Sequence, residues 1–352
     1  MNIGSPEVFP SFIRNFPQKP MSQLNFINLS KKPTKFYRFT GLEVGDFLIL
    51  KEEIEPLWQE AEIKRLSRPN RQRAIGGGRK YHLKTLEDKM LLLFTFYRLY
   101  LNYDFLGFIF GFDGTNVGRL IKRIEPVLAK RYKLPSIKRL SQKRISSLEE
   151  FKEAYPDLYE EIKIIIGDAT EQEIPRPKDK RKNREYRSGK KKRHTIKTQI
   201  FIERKTSQIL EVSPPVPGSI HDYKLFKMNK TGERLPRDNP VYLDKGYQGA
   251  KKDYPNLKLF IPKKGNRWHK LTLKDKIFNK KLSKIRIKIE HSILKCKRFK
   301  ILAQKYRHSL KDYHQRFKII AGIINFQLHN KENPIPIPIP AFTKKEIVFS
   351  KV

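Results

Sequence analysis

The chain has 352 residues, of which 76 are Lys or Arg and 36 are Asp or Glu, so its formal net charge is +40. A chain this basic repels itself unless it lies beside a polyanion or an anionic membrane surface. Its 38% of hydrophobic residues are enough for a packed core, which argues against global disorder. The single cysteine, Cys296, excludes a disulfide framework and a cysteine-based zinc site.

The sequence has no feature of a secreted or membrane-spanning protein. Nothing at its start resembles a secretory signal peptide. The most apolar stretch, residues 90–112, is interrupted by Arg98, Asn102 and Asp104 before it reaches the roughly 20 apolar residues of a membrane span. We therefore expect a cytoplasmic, nucleoid-associated protein whose partner is nucleic acid and not a membrane.

The beginning of the chain is predicted to be irregular. Residues 1–40 are rich in proline, phenylalanine and asparagine and show little periodicity, so they are interpreted as an N-terminal arm. Residues 1–20 show neither a helical nor an alternating period. The true start is therefore expected at Met21 rather than Met1.

Residues 41–135 are predicted to be helical. Apolar residues recur at helical intervals over 42–66 and again from residue 85 to 101. The glycine-rich basic stretch 76–80 between them is interpreted as a flexible loop.

The end of this region has the pattern of a helix-turn-helix. Two short helical segments, 105–111 and 115–131, flank a turn, and the second carries Arg119, Lys122 and Arg123. In a helix-turn-helix the second helix enters the major groove of DNA, so these three side chains are candidate DNA contacts. A purely structural three-helix bundle has the same apolar pattern, and both interpretations stay open at this point.

After a predicted linker over 136–160, the pattern changes from helix to alternating strand and helix. Five strands are predicted, at 163–168, 194–203, 207–212, 241–244 and 257–261, and three helices, at 222–228, 271–302 and 312–328. This order predicts an α/β domain over 161–330, in which helices flank a mixed sheet. The tail, 331–352, alternates Ile with Pro and is predicted to be extended or disordered.

Three acidic residues stand out at predicted element ends or inside a basic helix. Asp168 and Asp244 each close an apolar strand, and Glu290 lies in the long basic helix. Carboxylates that converge repel one another, and oxygen ligands select a hard divalent ion, Mg²⁺ or Mn²⁺. Two such ions activate a water or a 3′-hydroxyl against a phosphodiester. Asp222 competes for the second position, although its place before a short helix favours an N-cap.

The helix around Glu290 is predicted to be two-sided. At 100° per residue, Arg286, Glu290 and Lys297 form one stripe, beside an apolar face that includes Ile289 and Cys296. The two cations of this stripe are candidate DNA contacts next to a carboxylate. The alternative is an ordinary helix surface with Arg286 and Glu290 paired at i, i+4.

A dense basic segment follows the first carboxylate. Residues 176–193 hold eleven Lys or Arg, ending in Lys190, Lys191, Lys192 and Arg193. Beside a metal-binding carboxylate such a run favours phosphate contacts, whereas a solvated loop or a localisation signal is the ordinary interpretation. The chain has no Walker A sequence, so hydrolysis of nucleoside triphosphates is disfavoured.

These blocks jointly resemble the DDE transposases of bacterial insertion sequences of the type numbered five, and the related Harbinger-type nucleases. The resemblance covers residues 40–328. Its blocks are Gly167-Asp168-Ala169-Thr170, Tyr186-Arg187-Ser188-Gly189-Lys190, Pro217-Gly218-Ser219-Ile220-His221-Asp222, Asp244-Lys245-Gly246-Tyr247 and Arg286-Ile287-Lys288-Ile289-Glu290.

The resemblance implies an RNase H-like catalytic domain preceded by a helix-turn-helix. It also implies Mg²⁺ or Mn²⁺, two ions per site, held by Asp168, Asp244 and Glu290 as the catalytic triad. A signature of this kind, Tyr-x2-Arg-x3-Glu-x6-Lys, is met by Arg286, Glu290 and Lys297 but has Ser283 at its first position. The implied partners are DNA, as terminal inverted repeats and as target, and further copies of the chain in a dimer or larger assembly.

The function predicted from the sequence is therefore transposition, that is, cutting and joining of DNA. Two alternatives stay open. One is a DNA-binding protein derived from a transposase that has lost catalysis, against which the complete acidic triad argues. The other is an endonuclease that does not transfer strands.

Overall fold

We analysed a computed structural model, which describes residues 24–67, 74, 81–135, 164–237, 239–268 and 270–332. The predictions for the loop at 76–80 and for the linker at 136–160 lie outside the described residues. The same holds for the tail 331–352 except its first two residues, which belong to the last helix. No helix within the described ranges is long and apolar enough to cross a membrane.

The first half of the described chain is all helical. Its helices are α1 (Phe26–Ser30), α2 (Pro33–Thr40), α3 (Val44–Leu66), α4 (Leu86–Leu99), α5 (Tyr103–Phe110) and α6 (Gly114–Arg131). The four predicted helices of this region are thereby confirmed. Side chains that accept a backbone N–H define three helix starts: Thr85 for α4, Asn102 for α5 and Asp113 for α6.

The irregular arm predicted for residues 1–40 is wrong for its last part. Helices α1 and α2 occupy Phe26–Ser30 and Pro33–Thr40, and Phe36 of α2 is fully buried. Its ring packs edge-on against Phe47 of α3, with centroids 5.1 Å apart. The prediction followed the overall composition of residues 1–40, and two such short helices contain too few apolar repeats to outweigh it.

The second half contains a mixed sheet flanked by helices, which confirms the predicted α/β class. Strands β1 (Ile165–Glu173), β2 (Thr195–Glu203) and β3 (Ile209–Val212) are antiparallel neighbours, and β5 (Val241–Tyr242) and β6 (Leu259–Phe260) run parallel to β1. The order is β3-β2-β1-β5-β6, and β4 (Val216–Pro217) pairs with the start of β2. Strand β4 is not among the five predicted strands.

Six helices accompany the sheet. They are α7 (Lys180–Tyr186), α8 (Asp222–Met228), α9 (Thr231–Arg234), α10 (Ala250–Asp253), α11 (Leu273–Lys297) and α12 (Leu310–Glu332). The prediction for α8 is confirmed to the residue. The helix predicted over 271–302 ends at Lys297, and a separate 3-10 turn, Lys300–Leu302, follows it. Phe299 between them is buried and has an extended backbone, which interrupts the helix.

The helical half and the sheet half share one hydrophobic core. Buried side chains of α3, α4 and α6 are continuous with those of α11, α12 and one face of the sheet. An ion pair crosses the same boundary: Nε of Arg316, on α12, lies 2.7 Å from Oε1 of Glu125, on α6, and both residues are buried. A second core, under the other face of the sheet, is covered by α8. The two sequence regions therefore pack as one unit.

Candidate active site

Asp168 lies where one neighbour of β1 has ended and the other continues. β1 pairs with β2 over all nine residues from Ile165 to Glu173, but with β5 only at Ile165 and Ile166. Asp168 was predicted to close its strand, and this is wrong because β2 supplies a hydrogen-bonding partner far beyond it. It does, however, lie two residues past the end of the parallel pairing. The chain leaving β5 brings Asp244 to the same edge.

A single guanidinium joins the two aspartates. Nη1 of Arg286 donates to Oδ1 of Asp244 at 2.9 Å, and Nη2 lies 3.4 Å from Oδ2 of Asp168. The Arg286 side chain is only 11% exposed. We predicted that Arg286 contacts DNA. The structure instead gives it two carboxylate partners, so its contact with DNA stays a prediction.

Burial and neighbouring charges act on the carboxyl group of Asp168. Burial raises its pKa from 3.8 to about 6, and the negative charges of Asp244 and Asp222 act in the same direction. The Arg286 charge and a hydrogen bond from the Ala169 N–H, 2.8 Å long, act against this shift. Asp168 is therefore a carboxyl group whose ionised form needs more positive charge than this chain supplies.

The charges of all three aspartates act on one buried tyrosine, Tyr247. Its side chain is fully buried, and its hydroxyl accepts a hydrogen bond from Nε2 of Gln199 at 3.0 Å. Burial, first of all, raises the pKa of Tyr247, and the charges of Asp168, Asp222 and Asp244 raise it further. All three carboxylates are thus close enough to act on the same hydroxyl.

Glu290 and Asp168 line the same groove. The groove has a volume of about 590 Å³ and is lined by Asp168 and by Glu290, one helical turn after Arg286 on α11. Asp244 is not among its described lining residues and reaches Asp168 through Arg286. Among the described residues, no three acidic, His or Cys side chains are arranged to hold a metal ion together. The structure thus links Asp168 to each of the other two acids but does not close the three into one ligand set.

The predicted division of α11 into two faces is confirmed. Leu282, Ile289 and Cys296 are buried, whereas Glu290 is exposed and Arg286 and Lys297 are partly exposed beside the groove. The amphipathic pattern arises because every third or fourth residue returns to the sheet-facing side.

Lysines line the rim of the groove opposite α11. Lys190 and Lys191 lie in a turn whose backbone closes on Ser188, and both line the groove together with Lys297. Burial lowers the pKa of Lys297, and the neighbouring charge of Lys191 lowers it further. This clustering of positive charge suits a phosphate backbone.

The other two basic residues of this turn differ in their surroundings. Lys192 is exposed and has a left-handed backbone (φ 56°). Arg193 donates to Oε2 of Glu173 at 2.8 Å. Helix α7, just before the turn, was absent from the prediction because its seven residues carry no apolar face.

Sequence reasoning missed a buried lysine at the site. Nζ of Lys197, on β2, donates to the carbonyl of Ile220 at 2.7 Å and lies 2.9 Å from Oδ1 of Asp222 and 3.6 Å from Oε1 of Glu171. The buried ammonium thus donates one hydrogen bond to a carbonyl and forms ion pairs with two carboxylates. A lysine inside a strand that is buried throughout was the available signal, since a buried charge needs a partner.

The prediction that Asp222 caps α8 is wrong. His221 is the N-cap, and Asp222 is the first helical residue and turns its side chain to Lys197. Its Oδ2 would lie 2.6 Å from a Cβ at position 246, which explains why that position of the turn after Asp244 is glycine. Asp222 is thus packed against the turn that carries Asp244.

Two of the three predicted DNA-contacting side chains of the helix-turn-helix are exposed to solvent. Arg119 and Lys122 are exposed on α6. Arg123 instead forms an ion pair with Glu62 of α3, and its guanidinium lies over the rings of Trp58 and Tyr81, 5.4 and 5.0 Å from their centroids. The charge and both flat faces of Arg123 already have partners within the protein, so its contact with DNA stays a prediction.

Comparison with known proteins agrees with this geometry. The family described as "DDE superfamily endonuclease" matches residues 167–325, and "Helix-turn-helix of DDE superfamily endonuclease" matches residues 81–134. The chain is similar to a protein of Microchaete diplosiphon described as "Probable transposase for insertion sequence element IS702". The two are 30% identical over 296 residues, which is 84% of this chain and 94% of that protein. No solved structure matches the chain significantly.

Proposed function

This chain belongs to the DDE superfamily endonucleases and is a transposase of the insertion-sequence type, and on that premise we propose that it binds the terminal inverted repeats of its element and cuts and joins DNA at Asp168, Asp244 and Glu290. The observation that carries the proposal is the bridge between Asp168 and Asp244 by one cation, the guanidinium of Arg286. Two carboxylates that share a guanidinium are close enough to share a metal ion. Endonucleases of this superfamily use divalent metal ions.

The donor set fits Mg²⁺ or Mn²⁺. Its ligands are carboxylate oxygens, which hard divalent ions prefer. Burial holds the pKa of Asp168 near 6, so a nearby cation favours the ionised form that can act as a ligand. Asp168 and Asp244 would hold one ion, and Asp168 with Glu290 in the same groove would hold a second. Bound there, the two ions supply Lewis-acid activation of the attacking oxygen and stabilise the leaving oxygen.

The chain itself positions the DNA for this chemistry. Lys190, Lys191 and Lys297 line the groove beside Asp168 and Glu290, where their ammonium groups would contact the phosphates on either side of the reacting one. The ion pairs of Arg286 with Asp168 and Asp244 hold these two aspartates in place when DNA binds in the groove. Lys197 holds Asp222 in the same way. Positioning of a reacting group in this way contributes to catalysis by removing the entropic cost of bringing it there.

Recognition of the ends is assigned to α6. Arg119 and Lys122 are exposed on the second helix of the helix-turn-helix, which in such motifs lies in the major groove. Since inverted repeats come in pairs, we propose that two or more copies of the chain act together on DNA. The common core of the helical region and the sheet fixes the distance between the recognised bases and the cut.

The test is a cleavage and joining reaction with the purified full chain. The substrate is a plasmid that carries the DNA encoding the chain with its natural flanks, mixed with a second, target plasmid. In Mg²⁺ we expect cuts at the inverted repeats and joined products in the target, and neither in EDTA. Cuts without joining would favour the endonuclease alternative. Binding of the ends without cuts in either Mg²⁺ or Mn²⁺ would overturn the catalytic assignment.

A further inference from the structure

The most exposed large apolar side chain in the described residues is a tryptophan outside the site. Trp268 lies in the loop between β6 and α11 and is 83% exposed. Leu273 and Ile277, one turn apart at the start of α11, are 74% and 49% exposed. Large apolar side chains exposed close together along the chain are typical of an interaction surface. We call Arg267, Trp268, Leu273 and Ile277 the Trp268 platform.

The loop that carries the platform is fastened to α11. The backbone N–H of Lys263 donates to Oδ1 of Asn279 at 2.8 Å, and Nδ2 of Asn279 donates back to the Lys263 carbonyl at 3.0 Å. Nζ of Lys263 lies 2.6 Å from Oδ1 of Asp275, the residue that completes the capping box of α11. Nearer the tip of the loop, the backbone N–H of Trp268 donates to Oδ1 of Asn266 at 2.9 Å. The exposed indole is therefore carried by a hydrogen-bonded turn.

The surroundings of the platform are strongly basic. Residues 263–284 contain nine Lys or Arg and one Asp. That acid, Asp275, is already engaged with Lys263 and the helix cap. The guanidinium of Arg267 lies 5.7 Å from the centre of the Trp268 ring. A second copy of the chain, with a net charge of +40, would be repelled from this surface, whereas a polyanion is attracted.

We propose that the Trp268 platform binds single-stranded DNA by stacking an unpaired base on the indole, while the surrounding lysines bind its phosphates. This rests on the proposed function, since cuts at offset positions on the two strands leave an unpaired strand at a DNA end. Aromatic side chains in basic surroundings bind single strands in this way, because every base has a π face. In an intact duplex both faces of each internal base are already stacked on neighbouring bases, so no base face is available to stack on the indole.

The position of the platform along α11 agrees with this assignment. Leu273 and Glu290 are on the same helix, roughly 25 Å apart at 1.5 Å per residue. That length corresponds to about seven nucleotides at the 3.4 Å spacing of B-DNA. A strand held in the groove at Glu290 can therefore extend along α11 to the platform.

The test measures binding, not cleavage, so that it stands apart from the proposed chemistry. The full chain carrying Asp168→Asn is titrated, without metal, with a fluorescein-labelled 20-mer of thymidine and with a 20-base-pair duplex of mixed sequence. We expect Trp268→Ala to weaken single-strand binding about 5- to 100-fold and duplex binding less than about twofold. Trp268→Phe, which keeps an aromatic face, should recover most of the affinity. Ile27→Ala, at a side chain that is 61% exposed on α1, is the matched control.

Indole fluorescence gives a direct second measurement. The chain has two tryptophans, and the other one, Trp58, is only 7% exposed. Single-stranded DNA should therefore quench the Trp268 component, and the duplex should not.

Three results would overturn the proposal. The first is an unchanged affinity of Trp268→Ala for the 20-mer, and the second is an equal loss on the 20-mer and the duplex. The third is a Trp268→Ala variant that no longer binds vesicles containing phosphatidylserine but binds the 20-mer as the parent protein does. That result would assign the platform to a membrane surface. A wild-type chain that cuts no DNA would contradict the proposed function but would not affect the single-strand binding result.

Discussion

Asp168→Asn is expected to stabilise the metal-free protein at neutral pH. The carboxyl group is buried and its pKa is raised from 3.8 to about 6. The folded chain therefore binds this proton more tightly than the unfolded chain, and stability falls as the pH rises from about 4 to about 6. A rise of about two units in the pKa of Asp168 corresponds to roughly 3 kcal/mol in the free energy of unfolding. An amide at this position has no such charge to bury.

The assay is thermal unfolding of both proteins in EDTA between pH 4.5 and 7.5. At about 2.1 cal/mol/K per residue, 3 kcal/mol corresponds to roughly 4 °C in Tm for a chain of this length. The gap between variant and wild type should be small near pH 4.5 and reach its full size above pH 6. Mg²⁺ should then raise the Tm of the wild type more than that of the variant, because a bound ion stabilises the folded state it binds.

Two outcomes would refute this reasoning: a variant that is less stable than the wild type at pH 7, or a gap that does not change with pH. Asp222→Asn is the control of opposite sign. Its carboxylate pairs with Lys197 at 2.9 Å, so its loss leaves a buried ammonium with one partner fewer. That variant should be destabilised by about 1–3 kcal/mol.

Three further substitutions test other parts of the structure. Arg316→Met should cost about 3–5 kcal/mol in urea unfolding, because it leaves Glu125 buried without its ion-pair partner, and adding Glu125→Leu should restore most of it; a cost below about 1 kcal/mol would contradict the shared core. Lys122→Ala should weaken DNA binding without changing Tm, whereas Arg123→Ala should lower Tm, and the reverse pattern would return Arg123 to the DNA surface. Alanine at all three lysines 190–192 should flatten the log–log dependence of binding on salt by about 0.9 per lost phosphate contact, and an unchanged slope would make the turn a solvated loop.

Helices long enough to show a period were predictable from the sequence. α3, α4, α6 and α12 each span several turns, so their apolar positions repeat often enough to be recognised. The short helices α1, α2 and α7 were missed, whereas α5 and α8, which are no longer than α2, were predicted because turn residues stand beside them. The end of β1 was misjudged for a related reason. Its extension beyond Asp168 is set by the length of β2, a partner distant in sequence.

Residue types at the site were predictable, but their partners were not. The sequence marked Asp168, Asp244 and Glu290 as acids that a basic chain retains at element ends or in a basic helix. Only the fold shows that Arg286 joins two of them and that the third lines the same groove as Asp168. Arg123 illustrates the same limit, since its spacing on α6 suits DNA while Glu62, on another helix, holds its charge. Pairing of charges across elements is a tertiary property that spacing along one helix does not contain.

The most direct test of the central claim is cleavage by preformed complexes of protein and end DNA. Asp168→Asn, Asp244→Asn and Glu290→Gln are each bound to a labelled inverted-repeat fragment, given Mg²⁺, and compared with the wild type and with Asp222→Asn. We predict that the three triad variants bind the fragment as tightly as the wild type or more tightly but produce no cut, whereas Asp222→Asn retains measurable cleavage. Wild-type cleavage by Asp244→Asn, with loss of cleavage in Asp222→Asn, would contradict the assignment of the catalytic carboxylates.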